Sequence, residues 1–156
     1  MPQDELGNAI RKMIQVELDA MHYYRKATEA MQDEGAIFHF TLLADEEKEH
    51  ARSFYEVYPG TDLPPFEKLV QQNSDDSRAD RAIDVGLMAR LDERQALQLA
   101  LHLEKEVEGN LRRMAAEIGC DAAREVINKN AESTRGHYDM IAEDYARLYG
   151  PPPEKS

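Results

Sequence analysis

Five residues that commonly bind metal ions occupy positions where amphipathic helices would bury apolar side chains. Four stretches have apolar residues spaced three and four apart, the pattern of helices that face one another in a bundle. Near its middle each pattern is interrupted by polar residues, among them Glu17, Glu47, His50, Glu104 and His137. A buried carboxylate stays ionised only when it is paired or bound to a metal, because desolvating it alone costs several kcal/mol. No Lys or Arg lies on these parts of the patterns, so a bound metal is the simplest source of positive charge.

The arrangement occurs twice, at an offset of 87 residues. Glu17 and His50 correspond to Glu104 and His137, with no insertion in between. Glu47 and His50 are three residues apart, on one face of a helix, so they can share one metal centre. A single Glu-x-x-His is usually a solvated helix face, but a Glu on the first helix and a His on the second recur in the other hairpin at the same spacing, which favours a metal site.

Four long helices are predicted to position these residues. They run from about Asp4 to Gln32, Ala36 to Tyr58, Asp92 to Ile118 and Asp121 to Tyr149. Short turns near residues 33–35 and 119–121 make each pair an antiparallel hairpin, and residues 59–91 are long enough to travel the length of the bundle. Within this connection, residues 71–80 are predicted to be a polar loop with short helical turns on either side. The expected fold is all-α, a ferritin-like four-helix bundle in residues 1–150, followed by a short Pro-rich tail in residues 151–156.

The composition excludes several other classes of protein. The 156 residues are 42% hydrophobic and 32% charged, without Trp, which suits one all-helical domain. A formal net charge of -12 argues against binding nucleic acid or an anionic membrane surface. The single cysteine, Cys120, allows neither an internal disulfide nor a Cys-x-x-Cys metal site. Neither a secretory signal nor a membrane-span-length apolar stretch is visible, so we expect a cytoplasmic protein.

Three segments resemble the metal-binding helices of rubrerythrins and related ferritin-like proteins. They are ELDAMHYY (17–24), ADEEKEHARSF (44–54) and LEKEVEGN (103–110), and the resemblance extends over the four helices. It implies a carboxylate-bridged di-iron centre that reacts with peroxide or dioxygen, or that oxidises ferrous iron. The implied ligands are Glu17, Glu47, His50, Glu104 and His137, with Glu47 bridging or chelating and each histidine capping one metal. Iron is favoured by the resemblance alone, because manganese or zinc would accept the same ligands.

The sequence departs from the rubrerythrin pattern in two respects. Thr134 occupies the place of the carboxylate in the second Glu-x-x-His, which leaves three glutamates to balance the four positive charges of two ferrous ions. Either hydroxide or another anion completes the site, or one of the two metal positions is weak or empty. The four cysteines of a rubredoxin-type domain are also missing, so electrons are expected from a separate donor or from the iron itself.

Tyr24, two turns after Glu17 on the same apolar pattern, is the candidate catalytic residue outside the ligand set. Its hydroxyl would donate a hydrogen bond to a ligand or relay an electron; otherwise Tyr24 is a core residue. His22, His39 and His102 lie off the patterns and are predicted at the surface or at an interface.

Three functions are compatible with the sequence. They are a di-iron oxidoreductase, an iron-binding or storage protein with little turnover, and a bundle with a degenerate metal site that serves as an interaction module. In each case we expect a homo-oligomer, with a dimer as the simplest form.

Overall fold

The computed structural model describes residues 2–73 and 90–152, and the regular structure of these residues is helical. Helix α1 spans Gln3–Ala27 and runs into a 3-10 turn, Thr28–Ala30; α2 spans Glu34–Glu56, α3 Phe66–Asn73, α4 Glu93–Glu117 and α5 Asp121–Tyr149. The four predicted long helices are confirmed, with ends displaced by a few residues. Residues 71–73, predicted to begin a loop, instead end α3. The rest of that predicted loop lies outside the described residues.

Side-chain caps fix where two of the long helices begin. Asp33 precedes α2, and its carboxylate accepts a hydrogen bond from the Ala36 amide at 2.8 Å. Asp92 and Gln95 form a reciprocal capping box at the start of α4. Such caps satisfy amide groups that have no partner within the helix, which explains why α2 starts before the predicted Ala36. Gly150 directly follows the last residue of α5, and its φ of 87° is a conformation that glycine adopts readily.

The long helices form two antiparallel hairpins, α1 with α2 and α4 with α5, which pack with α2 against α5 and α1 against α4. Arg11, early in α1, donates to Asp62, which follows the end of α2. At the opposite end of the bundle, Glu93 at the start of α4 accepts hydrogen bonds from the amides of Gln32 and Asp33. Helix α2 therefore ends at one end of the bundle, and α4 begins at the other. This is the predicted ferritin-like topology.

The connection between the hairpins includes α3, which packs against the outer side of α1. Asn73, 1% exposed, donates to the Leu18 carbonyl at 2.8 Å and accepts from Gln15 at 2.8 Å. His22 lies one turn after Leu18 and is only 4% exposed, so its predicted place at the surface is wrong. The sequence pattern predicted the four long helices but not the contacts that α3 makes with α1.

The apolar residues of the predicted patterns lie in the core, except that Ala20 and Met114 are only partly buried. The core also contains buried residues outside the patterns, among them Leu18, Met21 and Tyr23. The ionisable residues that interrupt the patterns therefore lie inside the bundle, at the level where the two hairpins meet. No helix of residues 2–73 and 90–152 is long and apolar enough to cross a membrane.

Candidate metal centre

The structure brings all five predicted metal ligands together in the middle of the bundle. Glu17 is 0% exposed and Glu47 1%, while His50, Glu104 and His137 are 7%, 3% and 3% exposed. Glu47 Oε1 lies between the two imidazoles, 3.4 Å from His50 Nδ1 and 3.1 Å from His137 Nδ1. The ligands of both hairpins thus surround one shared carboxylate.

The two halves of the centre are related as the internal repeat predicts. His50 Nδ1 lies 2.8 Å from Glu17 Oε2, and His137 Nδ1 lies 3.7 Å from Glu104 Oε1. The imidazole rings are stacked, with centroids 5.2 Å apart and planes inclined by 7°. Both Nδ1 atoms therefore face the carboxylates in the interior, where a metal would bind.

Two residues that the sequence analysis missed contact the outer nitrogens of the histidines. Glu46 Oε1 lies 2.7 Å from His137 Nε2, and Ser133 Oγ lies 3.0 Å from His50 Nε2. Glu46 and Ser133 are equivalent under the offset of 87 residues, and each contacts the histidine of the other hairpin. Ser133 Oγ also lies 3.5 Å from Nε2 of His137 on its own helix. A histidine ligand usually donates its second ring N–H to such a neighbour, which leaves the other nitrogen for the metal. The internal repeat was the one sequence signal that could have paired these two positions.

Four ligand atoms in the interior make no hydrogen bond with the described residues. They are Glu17 Oε1, Glu47 Oε1, Glu104 Oε2 and His137 Nδ1. The 3.1 Å contact between Glu47 and His137 is close enough for an ion pair but lacks the geometry of a hydrogen bond. Buried polar atoms are otherwise almost always satisfied, and leaving one without a partner costs about 1–3 kcal/mol. A cation among these atoms would satisfy them together, so the residues present fit a metal.

Glu47, His50 and His137 each offer one potential ligand atom, and these three atoms lie within 4.8 Å of one another. A single ion could therefore reach the shared carboxylate and both histidines, and Glu17 and Glu104 flank this group on opposite sides. Carboxylate and imidazole ligands of this kind suit iron, manganese and zinc.

Without a metal, protons would supply the positive charge of the site. Burial, reinforced by the carboxylates of Glu17 and Glu104, raises the pKa of Glu47 to about 8. Burial alone would lower the pKa of His137, but Glu104 and Glu47 outweigh it and raise the pKa to about 11. The pKa of His50 is also raised, since Glu17 outweighs the effect of burial. A metal that binds here must displace these protons.

Thr134 does not replace the missing carboxylate. It is 1% exposed, and its hydroxyl donates to the Asn130 carbonyl of its own helix at 2.7 Å. Glu108, one turn after Glu104, accepts a hydrogen bond from Arg112 Nε at 2.9 Å through its Oε2. The interior of the centre thus contains three carboxylates, as the sequence predicted.

The hydroxyl of Tyr24 contacts Glu104, one of the candidate ligands. It donates to Glu104 Oε1 at 2.5 Å, and its ring packs edge-on against Phe40 with centroids 4.8 Å apart. Burial, together with the charges of Glu104 and Glu47, raises the pKa of Tyr24 well above its usual value, so the hydroxyl stays protonated. The equivalent position in the second hairpin is Leu111, which has no group to donate to Glu17.

Comparison with known proteins agrees with this geometry. The family model for rubrerythrin matches residues 8–145, a range that contains every ligand, Tyr24, Glu46 and Ser133. No curated protein and no solved structure matches the chain. Since the family match extends over most of the sequence and the ligands converge in the structure, the chain belongs to the rubrerythrin family.

Proposed function

We propose that this protein is a non-haem di-iron oxidoreductase that acts on peroxide, dioxygen or ferrous iron. The observation that carries the proposal is the group of four buried ligand atoms around Glu47 that have no hydrogen-bond partner among the described residues. Three carboxylates and two histidines in one dry interior are expensive to retain unless they bind a cation. Family membership favours iron as that cation.

Each hairpin would hold one half of the centre. Glu17 and His50 would bind one metal, and Glu104 and His137 would bind the other, with Glu47 between them. Bound iron would supply the electrons that reduce an O–O bond. The chain would orient the ligands, exclude bulk water from the interior and keep a proton on the Tyr24 hydroxyl beside Glu104. The electrons would come from a separate donor or, in a ferroxidase reaction, from the substrate iron.

Iron stoichiometry tests the proposal directly. Chains reconstituted anaerobically with ferrous iron should bind about two ions each, one for the Glu and His pair of each hairpin. Glu47→Gln should lose most of the iron, because it removes the carboxylate shared by both halves. Glu49→Gln is the matched control, since Glu49 lies on the same helix, 64% exposed and paired with Arg52.

The second measurement is oxidation of the reduced, iron-loaded centre by hydrogen peroxide, followed by its absorbance. Wild type and Glu49→Gln should be oxidised rapidly, and Glu47→Gln should not respond. A wild-type chain without iron would contradict the proposal. A chain with about one ion would exclude a paired centre and identify Thr134 as the cause of an empty position.

An iron-binding protein with little turnover is the second candidate, and Thr134 is the observation that favours it. A centre short of one carboxylate would bind metal without cycling well between oxidation states. This alternative predicts near-normal iron content with a single slow oxidation, so repeated additions of peroxide and reductant distinguish it from the oxidoreductase.

A further inference from the structure

The charges of the centre do not balance within its interior. Two ferrous ions would bring four positive charges, whereas Glu17, Glu47 and Glu104 supply three negative ones. Thr134, where the fourth carboxylate is missing, turns its hydroxyl to its own helix. Any further negative charge must come from outside the ligand set.

Glu46 is placed to provide that charge. Glu46 lies on α2, directly before Glu47. Its carboxylate reaches across to α5, where Oε1 lies 2.7 Å from His137 Nε2. The side chain is 41% exposed, so it lies on the solvent side of the imidazole while the metal-facing Nδ1 points inward. Glu46 therefore cannot be a ligand, but it can act on the metal through the ring.

The equivalent contact in the other half is neutral. His50 Nε2 lies 3.0 Å from the hydroxyl of Ser133, the residue that corresponds to Glu46 under the offset of 87 residues. The carboxylate thus contacts His137, the histidine that shares a helix with Thr134, at 2.7 Å. The neutral Ser133 hydroxyl lies 3.0 Å from His50 Nε2 and, at 3.5 Å, also contacts His137 Nε2. The extra charge therefore lies beside the hairpin in which Thr134 replaces the counterpart of Glu47.

We propose that Glu46 is a positioning residue that supplies, through His137, the negative charge that Thr134 cannot give to the metal centre. The inference rests on the proposed function, because it requires that the centre binds metal. By accepting the Nε2–H, the carboxylate fixes the tautomer that leaves the Nδ1 lone pair for the metal and makes the ring a stronger donor. It also lowers the net positive charge of the loaded centre from a distance of one imidazole ring.

Glu46→Gln tests the role of the charge, since the amide oxygen can still accept a hydrogen bond from Nε2. Anaerobic titration with Co²⁺, read from its visible absorption and competed by a chelator, measures the affinity of each position without turnover. We expect one of the two positions to weaken by about 10- to 100-fold, the range found when the partner of a histidine ligand is lost. Ser133→Ala removes a neutral partner and should have a smaller effect. Glu49→Gln, which removes the same charge from an exposed position on α2, should have none.

A second substitution separates charge compensation from a purely structural role. If Glu46 stands in for the missing ligand, Thr134→Glu should restore Co²⁺ affinity in the Glu46→Gln chain by a larger factor than it raises the affinity of wild type. Thermal melts of each metal-free variant show whether it folds. If the double variant does not fold, the Co²⁺ titration of Glu46→Gln alone still tests the inference.

Two outcomes would overturn the inference while leaving the proposed function intact. One is unchanged Co²⁺ binding by Glu46→Gln, and the other is an equal gain from Thr134→Glu in both backgrounds, which would show that the two positions act independently. A wild-type chain that binds no metal would overturn the inference and the proposed function together.

Discussion

At the scale of single residues, two neighbouring tyrosines show how position decides between a core residue and a functional one. Tyr23 and Tyr24 are both buried, and both hydroxyls donate hydrogen bonds. Tyr23 donates to the Ala96 carbonyl at 2.7 Å, within the framework of the bundle. Tyr24 donates to Glu104, a candidate ligand. The loss of each hydroxyl therefore costs stability, but only the loss at Tyr24 should alter the metal centre.

The first prediction is that Tyr24→Phe slows oxidation of the iron-loaded centre by peroxide on the order of tenfold, without loss of iron. The phenyl ring can keep its packing against Phe40, while Glu104 loses the donor that orients it. Stopped-flow absorbance gives the rate, and metal analysis gives the iron content. Tyr23→Phe is the control, because it should lose about 1 kcal/mol of stability and keep the wild-type rate. Equal rates in all three chains would make Tyr24 a core tyrosine.

The convergence of the five candidate ligands was predictable from the sequence, because an ionisable residue on an apolar pattern must be buried beside a partner of opposite charge. Glu46 gave no such signal, since it lies beside the pattern and is partly exposed. Its role depends on how closely α2 approaches α5, which is a property of helix packing. His22 was also misjudged, because it lies off the apolar pattern of α1 and yet is only 4% exposed.

At the scale of helices, one end of the bundle is held together by a small group of polar residues. Arg147, near the end of α5, donates to both carboxylate oxygens of Asp33, at 3.1 and 2.7 Å. Asp33 also caps α2, while its own amide donates to Glu93 of α4 at 2.8 Å. Three helices from both hairpins therefore meet at Asp33.

The second prediction concerns the acid stability of this junction. Hydrogen bonds from Arg147, and then from the Ala36 amide, lower the pKa of Asp33 to about 2, from an ordinary value of 3.8. A carboxylate with a lowered pKa stabilises the fold above its unfolded pKa, and this contribution disappears as the pH falls towards 2. Metal-free Asp33→Asn should therefore melt a few degrees below wild type at pH 7, and the difference should vanish near pH 2.

Asp45→Asn is the control for this prediction, because it removes a carboxylate from an exposed position of the same helix. Thermal melts followed by circular dichroism across the acid range give the comparison. A difference between Asp33→Asn and wild type that is the same at pH 7 and pH 2 would show that the ion pair with Arg147 contributes nothing.

The helices themselves were largely predictable, because each long amphipathic pattern is bounded by Pro, Gly or a capping residue. The ends were less so. Helix α1 gives way to a 3-10 turn at Thr28 rather than continuing to Gln32, and α2 starts at Glu34 because Asp33 caps it. The segment after α1 is held by a contact with another helix, the hydrogen bond from the amide of Gln32 to Glu93 of α4.

At the scale of the whole molecule, the candidate metal centre should also affect the stability of the metal-free fold. The hairpins meet around three buried carboxylates in a chain with a net charge of -12. Protons on Glu47 and His137 can replace the metal only while the pH is low enough to keep them bound. Stability, pH and metal loading are therefore linked.

The third prediction is that the metal-free protein loses stability as the pH rises from about 5 to about 10, and that Glu47→Gln reduces this loss. The pKa of Glu47 rises from 4.5 to about 8 on folding, and the pKa of His137 rises from 6.5 to about 11. A group whose pKa is raised stabilises the fold below its unfolded pKa, and that contribution is lost as the pH passes the folded value. Both groups act in the same direction.

Denaturant unfolding of the metal-free chains at a series of pH values measures the effect. Glu47→Gln cannot ionise at position 47, so it should be more stable than wild type above pH 8, although it binds little metal. Glu49→Gln should follow the wild-type curve, because Glu49 is exposed. In wild type the affinity for Co²⁺ should increase with pH over the same interval, since each bound ion displaces protons. If the free energy of unfolding of Glu47→Gln and of wild type changed equally with pH, ionisation of Glu47 would not be what destabilises the metal-free fold.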